Sequence, residues 1–276
     1  MTFLLGMLIV MGCVFGGFVL SKGQLLALWH PTEVLIIGGA AFGAMVISNS
    51  PKDLIAIFKF LPNLLTGGKY NKKLHMELLG LLFEIATKIR KSGLMSLEAD
   101  IDSPENSELF KNFPNILHHH HAMEFITDNL RLIISGNLSP HDFEAILDHE
   151  LATHEEEAEK VSGALTKVSD GLPGFGIVAA VLGIVITMSF IGGDPKVLGE
   201  KIATALVGTF LGILFAYGFV GPMANAVNLQ EKKEIKFFDC IKVFLLSVLA
   251  GTPPQLNVEY ARRCLYSDVK PSFSEL

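Results

Sequence analysis

Apolar residues in this chain gather into four uncharged blocks, and elsewhere they recur at helical spacing. The blocks run from Met1 to Ser21, Val34 to Pro51, Gly171 to Gly193 and Ile202 to Gln230. About 20 mostly apolar residues are needed to cross the hydrocarbon core as a helix. Each block therefore predicts a membrane span, the second short and the fourth with residues to spare. The first two are joined by a short loop holding Lys22, Trp29, His30 and Glu33, and the last two by GDPKVLGEK. A long polar stretch separates the pairs and a polar tail follows them. The implied organisation is spans one and two in 1–50, a cytoplasmic helical domain in 51–170, spans three and four in 171–228, and a cytoplasmic segment in 229–276.

The polar stretch itself reads as helix. Leu74, Leu78, Leu81, Leu82, Ile85 and Ile89 recur at helical spacing, and Gly93 follows as a C-terminal stop. Ser139, Pro140 and Asp142 combine an N-cap, a first-turn proline and an acidic third position. Ser103-Pro104-Glu105 predicts another helix start. No stretch alternates cleanly with period two. The fold class is an all-α membrane protein with four transmembrane helices, a large helical cytoplasmic domain between the second and third, and a cytoplasmic C-terminal helix.

Composition agrees with a membrane protein that has a sizeable aqueous part. Half of the 276 residues are hydrophobic, and the mean hydropathy is +0.45. A net charge of −6 argues against a nucleic-acid partner. Cys13, Cys240 and Cys264 are too scattered for a disulfide framework or a zinc site. The first block lacks a basic leader and a cleavage pattern, so it reads as a retained helix. Lysines set the orientation. Lys52, Lys59, Lys69, Lys72, Lys73, Lys232, Lys233, Lys236 and Lys242 flank the insertion and tail, whereas the opposite side has Lys22, Lys196 and Lys201. The insertion and both termini are expected in the cytoplasm, with Trp29 as an interfacial anchor on the far side.

Small residues mark every span. Gly12 and Gly16 lie in the first, and Gly39 and Gly43 in the second. Pro173, Gly176, Ala180 and Gly183 share a face of the third. Ala205, Gly208, Thr209, Gly212 and Ala216 share a face of the fourth. Two readings stand: close helix packing, or a smooth, mildly polar wall presented to something else. In the second reading Gly176, Ala180, Thr209, Gly212 and Tyr217 line a channel. Pro173 and Pro222 lie near the cytoplasmic ends of their spans, where each would free a carbonyl and bend its helix. Ion pathways normally carry an ionisable group at depth. None falls inside the four blocks, so a channel built from them would need a carboxylate from another chain.

LPGFGIVAA, VGTFLGILFAYGF, LRLIISG and the tail YSDVKPSFSEL closely resemble the MotA family, the proton-driven stator subunits of the bacterial flagellar motor. The resemblance covers essentially the whole chain; the ExbB and TolQ energisers are more distant relatives. It implies a ring of five copies around two copies of MotB in the bacterial inner membrane. MotB would supply a proton-binding aspartate and a peptidoglycan anchor. Pro173 and Pro222 match the family's coupling prolines. Arg90 and Glu98 match charges that pair with FliG of the rotor, and Glu150 matches a further charged cytoplasmic position. Sodium-driven relatives carry threonine where this chain has Ala180, and Thr209 is shared by both types, so the implied transported ion is H+. No cofactor, metal or enzymatic activity is implied.

Two features stand outside that pattern. His118 to His121 form a run read as a hydrophilic helix edge, since consecutive helical residues point different ways and cannot share one ion. HEEEAEK reads as a solvated acidic helix. The rival functions are an ExbB/TolQ-like energiser of outer-membrane processes, a membrane enzyme using the histidines, and a passive scaffold.

Overall fold

A computed structural model describes every residue except Met1, Gly67, Asn137, Phe273, Ser274 and Leu276. The start of the first predicted span and parts of the tail block thus lie outside the described residues. The rest is helical, with no strand among the described residues. The helices are α1 (Thr2–Leu20), α2 (Pro31–Ser48), α3 (Pro51–Thr66), α4 (Lys72–Ser92), the short α5 (Glu98–Asp102), α6 (Glu108–Lys111) and α7 (Pro114–Leu117), α8 (His120–Ser135), α9 (Pro140–Met188), α10 (Pro195–Phe215), α11 (Gly221–Leu249) and α12 (Pro254–Arg263). Short 3₁₀ turns occupy Leu25–Leu28 and Leu94–Leu97, and a π turn at Ala216–Val220 joins α10 to α11. Four helical stretches are long and apolar enough to cross a membrane, as the hydropathy pattern predicts.

The chain divides into two compact units. One holds 1–68 and 158–229, and the other holds 69–157 and 230–276. Residues 51–68 and 158–170, assigned from sequence to the polar domain, therefore pack with the apolar spans. In the first unit α2, α9 and α10 bury Ile37, Ala41, Leu172, Ala179, Val207 and Leu211 together. A second cluster joins Ile57 of α3 to Val161, Leu165 and Val227. The polar unit has its own core, in which Leu78, Leu82 and Ile85 of α4 pack with Phe125, Ile126, Phe143, Phe237, Phe238 and Phe244.

Several starts and stops follow from local chemistry. Gly93 ends α4 in a positive-φ conformation (φ 80°), and its N–H bonds to Ile89 O at 2.8 Å. Asn71 caps the start of α4, accepting from Leu74 N at 3.0 Å. Ser139 accepts from Asp142 N at 3.1 Å and donates to the Asp142 carboxylate at 2.6 Å. That start opens a single helix of 49 residues running unbroken through Pro173.

Three expectations need correction. Ser103-Pro104-Glu105 is not a helix start: α5 stops at Asp102, the segment folds as a turn with Asn106 N on Ser103 O, and Ser107 caps the next helix. The histidine run is not uniformly solvated, because His119 is 3% exposed. Its Nδ1 accepts from Ala122 N at 3.4 Å as the cap of α8, and its Nε2 lies 2.9 Å from Tyr70 Oη. With Nδ1 accepting, Nε2 carries the hydrogen and donates. The ring stacks on Phe237 with centroids 5.6 Å apart. A run of four identical residues hid the difference between one capping ring and three flanking ones. Finally, α2 begins at Pro31, not Val34, so Glu33 lies in its first turn and is buried. Proline is suited to the first helical position and a carboxylate to the first turn. The apolar stretches thus do contain a carboxylate of this chain.

Candidate ion-coupling site

The site is built where α9 meets α10, and glycine determines how closely they meet. A Cβ added at Gly212 would lie 2.7 Å from Leu172 O and 2.9 Å from Gly176 Cα. One at Gly176 would lie 3.0 Å from Gly208 O and 3.1 Å from Gly212 Cα, and one at Gly183 would meet Ala205 Cβ at 2.9 Å. The two backbones are in direct contact along this seam, the arrangement small residues permit in lipid. Gly176 and Gly212 use their smallness here, against each other. Ala180 is buried in the same seam and Thr209 is half-buried beside it. Tyr217 is 68% exposed.

Both prolines interrupt a backbone ladder next to one shared hydrogen bond. Pro173 has no N–H, so the Ser169 carbonyl four residues earlier loses its helical donor. Pro222, second in α11 just after the π turn, likewise supplies no N–H to the ladder there. Such turns commonly arise where a ladder is disturbed and often mark functional positions. Ser169 Oγ donates to Ala216 O at 3.0 Å, a bond from α9 to the start of the π turn. The Gly221 N–H also bonds to Ala216 O. A Cβ at Gly221 would lie 3.0 Å from both Ala216 O and Ser169 Oγ, so this crossing also requires glycine.

Beside this crossing opens a shallow cavity of about 610 Å³ with polar and charged residues in its wall. Glu159, Ser162, Thr166, Lys167, Ser169 and Asp170 line it from α9, and Tyr217, Gly221, Asn225 and Asn228 from the π turn and α11. It brings Tyr217, Ser169 and both charge signs together next to the proline breaks.

The cytoplasmic charges are placed differently from one another. Arg90, in the last turn of α4, and Glu98, at the start of α5, are exposed and form no ion pair among the described residues. The Leu94–Leu97 turn between them leaves Met95 63% exposed. Glu150 is tethered: Asn129, itself buried, donates to Glu150 Oε2 at 2.9 Å.

Sequence reasoning missed Ser169, Gly221 and Glu33. Ser169 gave a usable signal, since it stands four residues before Pro173, where the proline leaves its carbonyl without a helical donor. Gly221 directly precedes Pro222, and only the crossing geometry explains it.

Apolar spans whose backbone ladders are each interrupted by a proline, beside a cavity holding both charge signs, suit a channel-type membrane subunit, and the comparisons agree. Residues 118–239 match the MotA/TolQ/ExbB proton channel family, and residues 4–93 match the motility protein A N-terminal family. Motility protein A of Salmonella typhimurium is 46% identical across the whole chain and 94% of its own length. The chemotaxis protein LafT of Vibrio parahaemolyticus is 38% identical over 99% of this chain and 95% of its own. The fold matches a chain of the C. jejuni MotAB structure with a TM-score of 0.77, covering 97% of this chain and 96% of that one, at 20% identity. It also matches a chain of the flagellar MotAB stator complex of Bacillus subtilis, with a TM-score of 0.76 over 99% and 100%, at 24% identity. The chain is a subunit of the proton-channel class. More particularly, it belongs to the motility protein A family, the stator subunits of the flagellar motor.

Proposed function

We propose that this chain conducts protons inward together with a MotB partner and converts each passage into a push on the rotor. The observation that carries the mechanism is the crossing at Ser169 and Ala216, where α9 and the α10–α11 helix are hydrogen-bonded between two proline breaks. A partner carboxylate protonated beside this crossing would change the charge facing the freed Ser169 carbonyl and the backbone at Pro222. The bend at each proline responds, because a ladder already missing a bond resists bending least there. α9 contributes residues to both compact units, so a changed bend near Pro173 is carried along one helix.

In this reading the four apolar stretches span the bacterial inner membrane, with the polar unit and both termini in the cytoplasm. Five copies surround two MotB chains, and FliG is the rotor partner. Arg90 and Glu98, exposed and without an ion pair among the described residues, meet opposite charges there, and Glu150 adds a third contact. Exposed pairs contribute only about 0–1 kcal/mol each, which suits contacts made and broken at every step. H+ is the coupling ion: Ala180 offers a methyl group where a hydroxyl would help replace the hydration shell of sodium. The work is transport and force, with no bond-making chemistry and no cofactor.

The test is motility of a stator-less strain complemented with this chain and its MotB. Pro173→Ala should abolish swimming while the complex still assembles. Normal swimming by that variant contradicts the mechanism, and a swimming speed that follows external sodium at fixed pH contradicts the choice of ion.

A further inference from the structure

The buried carboxylate of Glu33 is not used by the mechanism above. A glutamate in the first turn of a helix is ordinarily solvated, and there it favours the positive end of the helix dipole. Glu33 is instead 5% exposed, and its Oε2 has no hydrogen-bond partner among the described residues. It is turned onto the backbone of α10: a Cβ at Gly208 would lie 2.8 Å from Glu33 Oε2, 3.0 Å from Ala179 Cβ and 3.3 Å from Ala180 N. The carboxylate therefore occupies the space left by the missing side chain of Gly208. It does so within the α9–α10 seam, next to Ala180 and to the residue preceding Thr209. The titratable neighbour within electrostatic reach is His30, at the cap of α2, whose ring is bonded to Ala27 O at 3.1 Å. Around Gly208, α9 contributes Ala179 and Ala180, neither of which titrates.

An ionisable group in an apolar span is costly to keep and by default marks an ion or proton path. A carboxylate oxygen without a donor accepts a proton readily, and a residue retained only for packing has no need of it. Resting on the proton-channel reading, we propose that Glu33 is a relay residue on the proton route of this chain. Glu33 takes a proton from hydronium at the α2 end of the seam: one O–H bond of the hydronium breaks, one forms on the carboxylate, and neutral water is left. It then releases that proton toward the carboxylate supplied by the partner and returns to its ionised form.

The experiment measures proton uptake into vesicles carrying the reconstituted complex with its MotB partner, driven by an imposed potential and normalised to assembled complex by co-purification. Glu33→Gln keeps volume and polarity but cannot exchange a proton as a carboxyl group does, and should lower the flux at least about tenfold. Glu33→Asp keeps the acid and should retain clearly more flux than Gln. Uptake by Glu33→Gln equal to that of the unsubstituted complex overturns the proposal. So does an equal loss in both variants, which would indicate a packing role. If the unsubstituted complex carries no protons, the channel reading fails first, and this inference falls with it.

Discussion

Gly212 shows how much one missing side chain decides. Its Cα faces the backbone of α9, with the Leu172 carbonyl 2.7 Å from where a Cβ would stand. Backbone cannot move aside as a flexible side chain can. Gly212→Ala should therefore destabilise the assembled complex by about 1–3 kcal/mol, seen as a lower melting temperature in detergent. A Cβ at Gly12 or Gly16 would meet nothing within 4 Å among the described residues, so alanine at either should leave their packing unchanged. His119 makes a prediction in pH. Burial, followed by the Lys69 charge, lowers its pKa from 6.5 to about 4. Between those values the unfolded chain binds the extra proton and the folded one does not. Stability is therefore full above about pH 6.5 and falls as pH drops toward 4. The loss approaches about 3 kcal/mol at the lower end. Thermal melts from pH 7 to 4.5 should show this slope, and His119→Gln should flatten it. His75, also buried and lowered chiefly by desolvation, adds in the same direction.

At the scale of elements, α4 shows what amphipathic spacing conveys. Leu78, Leu81, Leu82 and Ile85 are fully buried, as their period predicts, and the opposite face ends in the exposed Arg90. Because Arg90 and Glu98 are exposed and form no ion pair among the described residues, Arg90→Glu and Glu98→Lys should change melting by no more than about 0.5 kcal/mol. Swimming should nonetheless fail in soft agar. A large loss of stability in either variant would show that these charges hold the fold. The legible parts of the sequence were those set by local chemistry: the Gly93 stop, the Ser139 cap and four long apolar stretches. The Pro173 and Pro222 positions could be read, but the Ser169–Ala216 bond between them could not, since it joins residues 47 positions apart. Glu33 misled for a similar reason. Hydropathy placed it in a loop, and only the vacancy at Gly208, far along the chain, makes it an interior residue. The glycine pattern left packing and channel wall open as alternatives; Gly176 and Gly212 are in close contact within the chain, while Tyr217 faces a cavity.

At the scale of the whole molecule, the chain leaves much apolar surface uncovered. Across Phe3–Leu20 no residue is buried, and Leu8, Leu182, Val185 and Leu206 are exposed on α1, α9 and α10. Such apolar surface is met by lipid or by other subunits, which accords with a ring around a central partner. The central claim is that the proton-carrying acid at the core of this ring belongs to the partner, and that this chain turns its protonation into movement at Pro173 and Pro222. The direct measurement is proton flux into vesicles containing the purified chain with and without MotB. The account predicts flux with the partner and only background leak without it. Full flux through the chain alone would contradict it.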